Sequence, residues 1–251
     1  MENSQRIGIT ETSDPAFHPE IFDNLCEANI IITKHITDKI IDKLIENKER
    51  CILHASVTGM GGTKIEPLVP TIEQSVNKMK KLIDKGFPVK QIVLRIDPIV
   101  PTEKGVNTAM KVIDAFKDFG IERVRISFLD MYNHVKERFN CAGITLPYDS
   151  FHADLTTRVA AHQKLMQYAL GNNFKCVETC GEPGFTETPC ISQKDVDILN
   201  LTDKIQLVGK KEQRTSCSCP ANKKELISYT KRKEIKCGHS CLYCYMKKDN
   251  E

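Results

Sequence analysis

Short runs of aliphatic and β-branched residues alternate along the chain with longer stretches in which apolar residues recur every three or four positions. This alternation predicts βα units around a parallel sheet. Six strands are expected, at residues 6–11, 29–34, 51–58, 91–97, 123–129 and 174–179. The helix after the third strand has the clearest pattern: Ile72, Val76, Met79 and Ile83 share a face, Thr71 and Gln74 make a capping box, and Gly86 ends it. Val106, Met110, Ile113 and Phe116 repeat the pattern before Gly120, and further helices are expected at 19–28, 38–49, 155–171 and 192–199. Six units in about 200 residues suit an incomplete (β/α)6 parallel barrel better than an eight-unit barrel, which takes around 250; an open doubly wound sheet is the other arrangement.

The pattern stops near residue 200. Residues 202–234 are polar and lysine-rich, so the expected division is a partial barrel over 1–200 and a linker with a cysteine-rich tail over 201–251, packed back on the barrel. The net charge of +3, from 36 basic and 33 acidic residues, marks no basic arm for nucleic acid. No stretch approaches the roughly 18 apolar residues that span a bilayer, and the first residues do not read as a signal peptide. The expectation is a cytoplasmic protein without membrane contact.

Composition changes the picture through its eleven cysteines, eight of which lie at or beyond Cys176. In a reducing compartment they point to metal ligation or redox chemistry rather than disulfides. Cys237, Cys241 and Cys244 form a C-x3-C-x2-C triplet, which puts three sulfurs on one tight loop. A four-iron cluster normally takes four thiolates, so three leave one iron open to another ligand. The alternative is a zinc site in which Cys217 and Cys219 join some of the later cysteines.

The segment CGHSCLYCY resembles the cluster loop of the radical S-adenosylmethionine superfamily, particularly its spore photoproduct lyase and photolyase-like branch, as does the stretch from Ser56 to Pro101. SDPAF near Asp14, ITKH at Lys34, RISFLDMY, ETCGE around Cys180 and PCIS at Cys190 are similar to an uncharacterised family with its triplet at the carboxyl end. Thr12 and Ser13 stand where that family has two arginines, and Ile32 where it has tryptophan. The resemblance implies a [4Fe-4S] cluster on Cys237, Cys241 and Cys244 that reductively cleaves S-adenosyl-L-methionine to start radical chemistry. It also implies a permuted arrangement in which the tail closes the barrel mouth, and an auxiliary cluster on Cys180, Cys190, Cys217 and Cys219, with Cys176 able to take the place of Cys180. Lys34, Ser56, Thr58 and Arg95 would hold the polar parts of S-adenosylmethionine, and Tyr243 would lie against its adenine. An electron donor such as flavodoxin or ferredoxin would be the partner, and the substrate a small molecule or a nucleic acid base. Cys141, expected in the loop after the fifth strand, is the one candidate hydrogen-atom donor. The competing reading is a zinc or iron–sulfur nucleic-acid-binding module that uses the lysine-rich stretch 209–234 and performs no catalysis.

Overall fold

Backbone pairing joins the strands in one parallel ladder, ordered β6-β5-β4-β3-β2-β1-β7, in a computed structural model that describes residues 5–209, 218–228 and 237–246. The strands are β1 Ile7–Ile9, β2 Ala28–Thr33, β3 Cys51–Ser56, β4 Ile92–Ile99, β5 Arg123–Phe128, β6 Cys176–Thr179 and β7 Lys223–Glu225. The helices are α1 Asp38–Glu46, α2 Ile72–Asp84, α3 Glu103–Phe116, α4 Asn133–Cys141, α5 Leu155–Leu170 and α6 Gln193–Ile198. Among the described residues β6 and β7 are unpaired on their outer edges, so the α/β fold is an incomplete parallel barrel of seven strands rather than six.

The seventh strand comes from the stretch expected to be a linker. Ile7 N–H donates to Asn222 O at 3.1 Å and Leu226 N–H to Ile9 O at 2.8 Å, which docks residues 223–225 beside β1. Gly8 permits this approach, since a Cβ there would come within 2.9 Å of the Leu226 side chain. Two further expectations need correction. Residues 19–28 hold no α-helix; the chain makes 3-10 turns at Pro15–Phe17 and Pro19–Asn24, because Pro19 has no N–H to continue a helical ladder from Pro15. Cys141 ends α4 rather than lying in a loop, and it is exposed.

Capping chemistry sets the helix starts. Thr71 and Gln74 form the reciprocal capping box of α2, and Thr37, Thr102 and Asp154 accept from the first turns of α1, α3 and α5. No helix among the described residues is long and apolar enough to cross a membrane.

Alternation along the strands gives the sheet two unlike faces. Ile31, Leu53, Leu94, Ile96, Val124 and Ile126 face outward against Ile40, Leu44, Met79, Val112 and Phe116 of the helices. The inner face is apolar low in the barrel, where Ile7, Ile9, Ile30, Ile52 and Val93 pack on Ile191, Val196, Leu199, Leu201 and Ile205. Higher up it becomes charged. Register aligns Ser56, Arg95, Arg125 and Glu178 across β3 to β6 in one row beneath the carboxyl ends of the strands.

Candidate metal centre at the mouth of the barrel

The tail loop lies over the carboxyl ends of β1 to β4, held by contacts far apart in sequence. Leu242 N–H donates to Ile65 O at 3.0 Å, and Arg138 of α4 donates to Cys244 O at 2.8 Å. Leu242 and Tyr243 pack beside Leu129, Met131, Val135 and Phe139. His239 Nε2 lies 2.8 Å from Asp14 Oδ2, and its ring stands edge-on to Phe17 at 4.9 Å. Asp14 also accepts from the Thr33 hydroxyl at 2.6 Å and from the Lys34 amide at 2.7 Å. Burial pushes the Asp14 carboxyl up, yet His239, Thr33 and the Ala16 amide outweigh it and hold it below the ordinary carboxylate value. One carboxylate thus ties the β1 loop, the end of β2 and the tail together.

A second carboxylate, Glu66, gathers three of the expected site residues. It is fully buried in the loop after β3 and accepts from Lys34 Nζ at 3.2 Å, from the Thr58 hydroxyl and from the Tyr243 hydroxyl. Lys34 also donates to Asp97 O at 3.1 Å and lies 5.4 Å from the centre of the Tyr243 ring. Burial opposes the Lys34 charge, but Glu66, Cys241 and Asp97 keep its pKa above the ordinary lysine value. Nothing in the sequence picked out Glu66; its only signal is a lone acid in a glycine- and proline-rich loop.

All three tail thiols are buried or half-buried and lie close enough together to influence one another. Burial pushes Cys241 up to about 12, against the pull of Lys34, and also raises Cys237. Thiols in this state give up protons when a metal takes them. The donor set therefore fits a soft metal centre: three sulfurs on a loop that backbone and side-chain bonds hold, with an ammonium beside one of them.

Arg95 sits on β4, paired in register with Ser56 of β3. Its Nε donates to Asp97 Oδ2 at 2.8 Å, while the other Asp97 oxygen accepts from Ser127. Ser56 is buried one strand away, in the same row. Burial raises the Asp97 pKa, but Arg95, Ser127 and Lys34 more than offset this and leave it below its ordinary value. Its stabilising contribution is then present above the unfolded pKa of about 3.9 and lost as pH falls through the lower folded value. Asp97→Asn should cost about 1.5–3 kcal/mol at neutral pH. Urea unfolding of parent and variant from pH 7 down to pH 2 should show the gap closing at the acid end.

Further charges continue the row. Glu178 binds Arg123 Nε at 2.8 Å and Arg125 Nη2 at 2.6 Å, and Arg123 Nη1 reaches Asp195 at 2.7 Å. His54, wholly buried among them, has neither ring nitrogen bonded among the described residues; burial, Arg125, Arg95 and Arg123 drive its pKa well below the usual value and keep the ring neutral.

Of the thiols expected in an auxiliary cluster, Cys180, Cys190 and Cys219 come together on this inner face. The sulfurs of Cys180 and Cys190 are 3.1 Å apart, and ligand atoms of Cys190, Cys219 and Glu11 all lie within 4.8 Å of one another. Cys217 lies outside the described residues, as does most of the lysine-rich stretch offered for nucleic acid contact. Cys176 is at the far end of β6, where Lys194 Nζ approaches its sulfur at 3.3 Å. A pocket of about 470 Å³ lies elsewhere, between the sheet and α2; Lys34, His35 and Ser56 line it, and no cysteine does.

A family model described as "Domain of unknown function (DUF1848)" matches residues 11–246. No curated protein matches the chain significantly.

Proposed function

The chain belongs to that family, whose description assigns no activity, and we propose that it is a radical S-adenosylmethionine enzyme with its cluster on Cys237, Cys241 and Cys244. The observation that carries this reading is a three-thiol loop seated over the strand ends at which Lys34, Thr58 and Glu66 converge. In a parallel barrel that end is where substrates and cofactors are handled. When bound, a four-iron cluster with three protein thiolates supplies an electron to S-adenosylmethionine, and its reductive cleavage starts radical chemistry.

The chain's own residues then position and enclose. Lys34 presents a buried ammonium beside Cys241, suited to a carboxylate, and Thr58 and Ser56 offer hydroxyls on the neighbouring strand. Arg95 Nη1 is buried with no partner among the described residues, which suits it to a further polar group. The Tyr243 ring is half-buried next to the last cysteine, where one face can receive an adenine while its hydroxyl stays on Glu66. The Asp14–His239 contact and the Leu242 packing hold the loop against the barrel. A cytoplasmic reductant of the flavodoxin or ferredoxin class and a substrate that is a small molecule or nucleic acid base complete the proposal.

The test is anaerobic reconstitution with iron and sulfide, followed by reduction in the presence of S-adenosylmethionine. Brown protein with one four-iron cluster on the tail, releasing 5′-deoxyadenosine and methionine in equal amounts, is the expected result. A tail that takes up no iron, or a reduced cluster that releases neither product, contradicts the proposal.

A further inference from the structure

The thiols on the inner face have a different geometry from those of the tail. Glu11 follows β1, Cys180 follows β6, Cys190 enters α6 and Cys219 approaches β7, so residues from both free edges of the sheet meet at one point. Glu11, Cys190 and Cys219 have ligand atoms all within 4.8 Å of one another; the Cys180 sulfur stands outside that mutual group but lies 3.1 Å from Cys190. Atoms 2.0–2.3 Å from a tetrahedral ion stand about 3.3–3.8 Å apart. The close grouping of Glu11, Cys190 and Cys219, with Cys180 against Cys190, suits a single ion better than a cubane, whose thiolates bind separate corners.

The surroundings give a second, independent indication. Four anionic ligands around a divalent cation leave excess negative charge, and the protein places cations against it. Lys223 Nζ holds Glu11 Oε2 at 2.6 Å. Arg95 Nη1 and Arg125 Nη1 are buried N–H groups without a partner among the described residues, although both side chains are otherwise paired and that of Arg125 is almost wholly enclosed. Both guanidinium groups act electrostatically on Cys180 and Cys190. Buried donors left unbonded are destabilising, and metal-bound thiolates would accept from them.

We propose that Glu11, Cys180, Cys190 and Cys219 bind one divalent ion of the zinc class, which clasps the two open edges of the barrel. The site is independent of any cluster on the tail. The ion joins the β6 side to the β1–β7 side, which no backbone ladder joins among the described residues. Its role is structural, since four protein ligands fill a tetrahedral ion.

The experiment uses the full chain with Cys237, Cys241 and Cys244 replaced by alanine, so that any metal left belongs to the inner site. This protein should be purified with one equivalent of zinc. Cobalt(II) exchanged into it should show thiolate charge-transfer absorption and intense tetrahedral bands. Adding Cys190→Ser should abolish those bands, and adding Glu11→Gln should weaken cobalt binding roughly tenfold or more. A chelator should lower the thermal midpoint of the triple-alanine chain. Absence of the cobalt bands, iron with acid-labile sulfide at these residues, or a Cys180–Cys190 disulfide in anaerobically purified protein would each overturn the assignment. If Cys190→Ser does not fold, the cobalt titrations of the triple-alanine chain and of Glu11→Gln still decide it. Failure of the tail to hold iron would leave this site untouched and sink only the radical-enzyme reading.

Discussion

Glu66→Ala is expected to destabilise the protein by about 3–5 kcal/mol, the usual consequence of removing one partner from a buried charged pair, and to release the tail from the barrel. Glu66 is fully buried and accepts from Lys34, Thr58 and Tyr243, so its loss strands an ammonium and two hydroxyls together. Two of those donors belong to strands β2 and β3 or the residues that follow them, and the third to the tail. Glu66→Gln keeps the shape and one acceptor but removes the charge, and it should fall between parent and alanine. Urea denaturation reads the stability, and limited proteolysis reads the tail, which should be cut faster in Glu66→Ala under conditions where the barrel is intact. An alanine variant with parental stability and an uncut tail would show that Glu66 does not join the two parts.

The second large effect is expected when Cys237, Cys241 and Cys244 are all replaced by alanine. The tail should lose its iron completely, and S-adenosylmethionine cleavage should fall to background. The fold should survive, because the contacts that seat the loop come from other residues: Leu242 and Tyr243 in the small apolar cluster, His239 on Asp14, and Arg138 on the Cys244 carbonyl. Iron and sulfide content, product release and a thermal melt on one preparation separate the two outcomes. Loss of iron together with collapse of the fold would mean that the thiols themselves hold the tail in place. Cleavage that survives in the triple variant would place the chemistry elsewhere in the molecule.

Much of the barrel could be read from periodicity, because helices and strands that bury one face repeat their apolar residues in register with that face. The Thr71–Gln74 box and the stripe of α2 are the clearest instance. The misses have physical causes. Lys223, Lys224 and Glu225 look like linker because an edge strand of three residues needs no apolar alternation; backbone bonds to β1 and the Lys223–Glu11 pair hold it. Helix α4 shows little pattern since Val135 and Phe139 are the only side chains it buries. In β5 the arginines at 123 and 125 alternate with Val124 and Ile126, a pattern that marks two unlike faces, but their partners Glu178 and Asp195 lie 53 to 72 positions away. Still larger separations, 225 and 177 positions, hid the links from Asp14 to His239 and from Glu66 to Tyr243. Local spacing revealed the cysteine triplet, whereas the residues that seat it depend on long-range packing.

The most direct measurement is the electron paramagnetic resonance spectrum of the reduced, reconstituted protein, recorded before and after S-adenosylmethionine is added. Three thiolates on the tail leave one iron for the added molecule, so binding must alter the signal, and the change must disappear with Cys237, Cys241 and Cys244 replaced. Tyr243→Ala should leave the iron content intact and weaken the response roughly 5- to 150-fold in cofactor concentration, the equivalent of about 1–3 kcal/mol for base stacking. A cluster signal that S-adenosylmethionine leaves unchanged would contradict an open iron at the barrel mouth.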